Sequence, residues 1–429
     1  MTLTAAPVVR RRRLHRAWVV ATVTMLALVA AAGFRSSTGA LLEPLERDFG
    51  WSRGVTSGAV SLNLIVYGLT APFAAALMGR FGIRRVVPLA LVLTAAGSGL
   101  TLVMTSAWQL WALWGFAVGI GTGALALVFG AIVANRWFVS HRGLVTGVFS
   151  AASSTGQLVF LPLIAHLVDG PGWRWAAGIV AVFALVLSPV VWLVMRDSPG
   201  DIGETPYGSP ADAVPVPAPR TPGAATLALT TLREVSGTWT FWALFVSFWV
   251  CGWSTNGLIG THFIPAAHDH GMAETTSASL LALIGIFDIV GTIASGWLTD
   301  RIDPRLLLFM YYLLRGLSLL WVDQLLGDSI HPSLFLFVLF YGLDWVATVP
   351  PTVALCRSHF GLERSGVVFG WVFASHMVGA GVAASFAGWT RESTGTYLTA
   401  WLTAGILCLA AAVVCLMIPA ERHRRPDLV

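Results

Sequence analysis

Long apolar runs, not two-residue alternation, dominate the chain. They cover roughly residues 17–42, 54–78, 86–105, 107–135, 143–168, 173–195, 239–265, 275–299, 305–326, 332–356, 365–390 and 396–419. At about 1.5 Å per helical residue, a run of about 18 or more residues crosses a hydrocarbon core about 30 Å thick. Backbone in lipid must satisfy its own hydrogen bonds, and no run alternates as a barrel strand does. The pattern therefore predicts an all-α membrane protein with twelve transmembrane helices. The one long interruption, 197–238, is rich in Pro, Gly and small polar residues. It predicts a largely irregular linker with a short amphipathic turn near Leu227 to Leu232. The expected organisation is a tail over 1–16, a six-helix bundle over 17–196, the linker over 197–238, a second six-helix bundle over 239–419 and a tail over 420–429.

Composition narrows the function. Of 429 residues, 56% are hydrophobic and only 11% charged, against about a quarter charged in globular proteins. Every one of the 26 basic residues is Arg. With no Lys there is no Walker A loop and no Schiff-base chemistry. Arg stays protonated, so any transported proton must travel on Asp, Glu, His or water. With a cytoplasmic N-terminus, 20 Arg fall in inner segments, while Arg47, Arg53, Arg174 and Arg391 fall in outer loops. The positive-inside rule thus places both termini in the cytoplasm, and the expected location is a bacterial inner membrane. The basic pI of about 9.4 expresses that asymmetry and gives no hint of nucleic acid. The run Arg10 to Arg13 precedes an apolar segment too long for a signal peptide, so it is read as flanking an uncleaved first span. Cys251, Cys356, Cys408 and Cys415 lack metal-ligand spacing, and no cofactor, metal site or catalytic residue is expected.

The halves repeat each other in a single register: Gly39 with Gly260, Pro44 with Pro265, Gly50 with Gly271, Arg80 with Arg301 and Arg136 with Arg357. Two six-helix halves related along the membrane normal, with a site at their interface near the midplane, is a transporter arrangement. The hinge Gly296-Trp297-Leu298-Thr299-Asp300-Arg301, with Arg305, resembles the G-x-L-x-D-R-x-G-R motif of the major facilitator superfamily. The first hinge keeps Arg80, Arg84 and Arg85 but has Gly79 where that family has Asp. The resemblance implies a cytoplasmic gate at Arg80, Arg84, Asp300, Arg301 and Arg305, and the departure puts more of the locking on Asp300 and its neighbours. Asn135-Arg136-Trp137-Phe138, Arg142-Gly143-Leu144, the run Ala151 to Gly156 and Phe49-Gly50-Trp51-Ser52-Arg53 further resemble bacterial monocarboxylate-transporter-like proteins. Here the first-helix lysine of animal members is missing, and Asp288 is followed four residues on by Thr292 rather than Arg.

Ionisable residues deep in lipid are expensive and are functional candidates by default. Arg35 has the chemistry to take a carboxylate bidentately; the alternative is snorkelling or a structural pair. Asp288 and His376 are candidate proton carriers, against packing roles for both. Asp344 is a candidate substrate contact, with a structural pair to Arg315 as the rival reading. Asn63, Tyr67, Ser153, Ser154, Gln157 and Asn256 are candidate cavity-lining residues, although small polar side chains are also ordinary interhelical glue. Pro350-Pro351 predict a bend in the tenth helix. Trp345 and Trp371 are the two tryptophans allowed near a substrate.

These readings combine into an alternating-access secondary transporter, a monomer in the bilayer, moving a small organic anion such as a monocarboxylate together with a proton. A drug or metabolite exporter of the same superfamily is the first rival, although the fifth helix lacks the G-P-x-x-G-G pattern of its antiporters. A non-transporting membrane sensor or assembly partner is the second.

Overall fold

The computed structural model describes residues 15–169, 172–210, 212–217 and 223–420; the side chains of 34–43, 53, 54, 57, 154, 155, 157–159, 161–165, 168, 169, 224 and 274 lie outside that description. The first bundle comprises α1 (Arg16–Phe49), α2 (Arg53–Phe81), α3 (Ile83–Thr101), α4 (Ala107–Trp137), α5 (Arg142–Asp169) and α6 (Trp173–Val194). The second comprises α7 (Trp239–Asp269), α8 (Glu274–Thr299), α9 (Pro304–Leu325), α10 (332–360), α11 (362–394) and α12 (Leu398–Leu416). Only Gly361, at φ 78°, separates α10 from α11. That left-handed conformation is one glycine adopts without Cβ strain. All but α5, most of whose outer side chains are undescribed, are long and apolar enough to cross a membrane.

The packing repeats as the sequence does. In the first bundle α1 lies along α5, α2 along α4 and α3 along α6; in the second α7 lies along α11, α8 along α10 and α9 along α12. The match reaches single hydrogen bonds. Arg84 Nε donates to Trp192 O near the end of α6 (2.8 Å), and Arg305 Nη1, at the equivalent position of the second half, donates to Ile418 O just past α12 (2.9 Å). A carboxylate caps each following helix: Asp197 Oδ1 accepts from Arg84 N, and Asp303 Oδ1 from Arg305 N, both at 2.9 Å. Helix N-termini expose unpaired N–H groups that such caps satisfy. Gly82, at φ 87°, turns the chain between α2 and α3, and a Cβ there would run into the Asp197 carboxylate. The side chain of Arg305 also holds Asp303 below the usual carboxylate range.

The α2–α3 and α8–α9 hinges define one side of the molecule, and the bundles close on that side. Gly143 of α5 abuts Gly296 of α8, and a Cβ on Gly147 would stand 2.6 Å from Thr292 O. On the other seam, Gly370 of α11 lies against Pro72 of α2, Gly366 against Ile132, and Gly68 against Met377. These approaches run from the hinge end to mid-helix. Beyond them, Val378, Gly381, Val382 and Ser385 of α11 are exposed, and so are Asn256, Gly260 and Thr261 of α7.

The linker includes an amphipathic helix, Ala224–Val235, longer than the expected turn, which packs on both α2 and α11. Its upstream part folds back on the α4–α5 junction, where Tyr207 N donates to Trp137 O (2.8 Å) and Val139 N to Tyr207 O (2.9 Å).

Candidate functional site

At mid-membrane, three of the singled-out residues gather around Phe373. Tyr67 of α2 is buried with its ring edge-on to Phe373 of α11, centroids 5.5 Å apart, a contact across the bundle boundary. His376, one turn further along α11, lies parallel to Phe373 at 6.0 Å and beside Phe248 at 5.0 Å. Its Nε2 is 3.4 Å from the amide nitrogen of Asn256. Asn256 is exposed although it sits in the middle of α7, within a π-helical stretch, Trp253–Ile259. Such stretches leave backbone pairing irregular and recur at functional sites. Asn256, Gly260 and Thr261 share one face of α7, and a Cβ on Gly260 would lie 3.7 Å from the Trp345 ring. The arrangement offers an aromatic floor with one titratable ring and one amide above it.

The second cluster is organised by a break in α10. The first half of the helix ends at Asp344 and the second starts at Val349, with Pro350 and Pro351 in its first turn. Proline is tolerated there because those N–H groups would be unpaired anyway, but Pro351 offers no N–H to Ala347 O, and the break leaves Asp344 O and Trp345 O without their i+4 donors. Side chains from two neighbouring helices supply them. Arg315 Nη2 donates to Asp344 O (2.5 Å) and Trp345 O (3.2 Å), and Ser295 Oγ donates to Ala347 O (2.6 Å). Asp288 Oδ1 accepts from Val346 N (2.9 Å) and from Thr292 Oγ1 (2.7 Å). A cation therefore sits at the C-terminal end of the first half-helix and a carboxylate near the start of the second, as the helix dipoles favour.

Arg315 is 2% exposed and completes its shell with Asp344 Oδ2 (2.7 Å), Cys251 Sγ (3.2 Å) and Ser254 Oγ (3.3 Å). Buried charges persist in low dielectric only when paired and hydrogen-bonded, and this pair is both. Asp288 is 0% exposed.

At the hinge side, Asp300, one of the residues expected at the cytoplasmic gate, bonds across the bundle boundary. Its carboxylate accepts from Gly143 N (2.7 Å) and Leu144 N (3.0 Å), capping α5 from the opposite bundle. The hinge arginines bind within their own bundles: Arg80 lies over Phe81, Arg84 meets Trp192, Arg301 donates to Trp297 O and stacks on its indole, and Arg305 holds Asp303.

The other candidates disperse. The amide nitrogen of Asn63 donates to Trp114 O (2.7 Å), a carbonyl of the π-helical stretch Trp111–Val118 in α4. Ser153 is half-buried on α5. Asp344 faces Arg315. Trp371 donates through its indole N–H to Ala228 O of the linker helix (3.0 Å) and lies on the hinge-side seam, against Phe73 of α2, away from Asn256. The side chains of Arg35, Ser154 and Gln157 lie outside the described residues. Sequence reading missed Ser295 and Asp197, and foresaw only the middle of the linker helix as a turn. Only the i, i+4 pair Asp288–Thr292 carried a local signal of what surrounds the break.

The sequence profile described as Major Facilitator Superfamily matches residues 23–343 and 256–428. Among curated relatives, the uncharacterized MFS-type transporter YcxA of Bacillus subtilis is 25% identical over 89% of this chain and 90% of that protein. Human Monocarboxylate transporter 11 is 26% identical over 94% of this chain and 83% of its own length. Among solved structures, the human organic anion transporter MFSD10 superposes with TM-score 0.71 at 17% identity, covering 93% of this chain and 99% of that one. FucP in its outward conformation superposes with TM-score 0.69 at 15% identity, covering 94% and 99%. The fold these structures share is the one built above from two six-helix halves, and with the profile spanning nearly the whole sequence, the chain belongs to the Major Facilitator Superfamily of membrane transporters.

Proposed function

We propose that this transporter moves a small organic anion of the monocarboxylate class together with a proton, by alternating access of its two bundles to the two sides of a bacterial inner membrane. The observation that carries the reading is the full-length similarity to monocarboxylate transporters. The hinge side is assigned to the cytoplasm, since Arg80, Arg84, Arg85, Arg136, Arg142, Arg301, Arg305, Arg357 and Arg364 all lie there. The closed hinge-side seams then correspond to a protein open outward.

Within this reading Arg35 neutralises the carboxylate and His376 takes the proton. His376 is preferred to Asp288 because its ring reaches the exposed Asn256, while Asp288 is buried and engaged with the α10 break. Tyr67 and Asn256 border the substrate; Ser153, Ser154 and Gln157 are retained as contacts from α5. An anion and a proton entering together carry no net charge, which avoids a cost of about 2.3 kcal/mol per charge per 100 mV.

The test is uptake of a panel of radiolabelled monocarboxylates into proteoliposomes. An inward proton gradient should accelerate uptake and a protonophore should collapse the acceleration. Uptake indifferent to the gradient would remove the coupling, and no uptake of any carboxylate would remove the substrate class.

A further inference from the structure

The two seams between the bundles are related by the repeat, yet they are not closed alike. On the α5–α8 seam, Asp300 caps the N-terminus of α5 across the boundary. In the register of the repeat Gly79 is the counterpart of Asp300, and Arg364 and Ser365, at the start of α11, are the counterparts of Gly143 and Leu144. The α2–α11 seam therefore has no carboxylate at the corresponding place. Another element stands there. The linker helix Ala224–Val235 lies on both α2 and α11.

Its inner face, Ala228, Thr231 and Val235, is buried, while Leu229 and Thr230 face outward. Glu234 pairs with Arg364 at 2.5 Å, and Ala228 O accepts the indole N–H of Trp371 at 3.0 Å. The Trp371 ring also meets Phe73 of α2 edge-on at 5.8 Å, so one side chain touches the linker helix and both bundles.

We propose that the linker helix is a strap that does for the α2–α11 seam what Asp300 does for the other. It holds the hinge side shut by joining α2 to α11, and it must let go of one of them when that side opens. The exposed Glu234–Arg364 pair is too weak to hold the seam alone. It fixes the strap's register, and the buried face with the Trp371 bond supplies the grip. The inference rests on alternating access but not on the substrate or the proton, so the experiment needs neither.

Ala75 of α2 is buried beside Gly366 of α11, and a cysteine there is reachable from the hinge side only when the seam parts. The four native cysteines are buried. The rate at which a charged maleimide labels full-length Ala75→Cys in detergent, less the rate in protein lacking that substitution, reports the opening. Glu234→Arg should raise the rate about threefold, the scale of an exposed ion pair. Arg364→Glu combined with it should return the rate to its starting value, which a general loosening of the fold would not do. Trp371→Phe, which keeps a ring but removes the N–H, should raise the rate further than Glu234→Arg. If Ala75→Cys does not fold, Ile132→Cys on α4, buried against the same Gly366, serves as the reporter. Rates unmoved by all three variants would overturn the strap. Labelling absent from both reporters in every variant would refute the opening itself, and the strap with it.

Discussion

Asp300 Oδ1 accepts the backbone N–H of Gly143 at 2.7 Å, and the two residues belong to different bundles. The bond ties the end of α8 to the start of α5, so it exists only while the hinge side is closed. A carboxylate at a helix N-terminus gains from the dipole as well as from the bonds. Because Asp300 is exposed, the net effect is modest. Asp300→Asn should favour the hinge-open form by about 1 kcal/mol, roughly fivefold in population. Gly147→Ala should act in the same direction through sterics, since its Cβ would stand 2.6 Å from the backbone oxygen of Thr292. Maleimide labelling of the Ala75→Cys reporter, which is reached only from an open hinge side, measures both shifts; slower labelling in either variant would contradict the clamp.

The α10 break makes a separate prediction about stability. Removing one member of a buried ion pair leaves the other charge uncompensated, at a cost of about 3–5 kcal/mol. Arg315→Met also strips the guanidinium donors from Asp344 O and Trp345 O, leaving Asp344 O only the longer bond from Ala347 N (3.3 Å). It should lower the thermal midpoint in detergent more than Asp344→Asn, which keeps an acceptor for the guanidinium. The double variant Arg315→Met with Asp344→Leu should be more stable than Arg315→Met alone. A midpoint unchanged in Arg315→Met would show that the pair does not hold the break.

How far the sequence disclosed these features depends on the range of the interaction. Twelve spans in two repeated bundles were legible because hydropathy over a membrane-length window and a fixed offset are properties of the chain itself. The prolines of α10 marked a bend correctly, since a missing N–H is local chemistry. What surrounds that bend was not legible. Arg315, Asp288 and Ser295 come from α8 and α9, and nothing in their own neighbourhoods says that they face freed backbone of a third helix. Arg315 and Asp344 could be paired by charge alone. The backbone partners of Arg315 could not be foreseen. The π-helical stretches in α4 and α7 were likewise invisible, and with them the reason Asn63 turns to a carbonyl while Asn256 stays exposed.

Asp288 and His376 separate the two possible proton carriers. Asp288→Asn keeps a carbonyl oxygen for Val346 N and Thr292 Oγ1, so the break should survive with a loss of about 1 kcal/mol, the worth of one net hydrogen bond. Gradient-driven uptake should persist in that variant. His376→Gln keeps a polar side chain toward Asn256 but cannot be protonated near neutral pH. It should retain exchange of substrate between equal pools while losing acceleration by an inward proton gradient. Driven uptake intact in His376→Gln and absent in Asp288→Asn would reverse the assignment.

Arg35 carries the substrate side of the proposal. It lies on α1 two residues beyond Gly33, which packs against Phe160 of α5. A guanidinium presents two parallel N–H donors to a carboxylate, whereas an ammonium presents a single compact charge. Arg35→Lys should therefore keep the protein at normal membrane levels and raise the half-saturating concentration of a transported monocarboxylate about tenfold, the scale of one charge-assisted hydrogen bond. Arg35→Ala should abolish uptake at the same membrane level, because an anion would then have no fixed positive charge to meet in a low-dielectric site. Competition among carboxylates of different size, measured in the Lys variant, checks that the loss is in carboxylate recognition: all should weaken by a similar factor. Wild-type uptake in Arg35→Ala would remove Arg35 from the site.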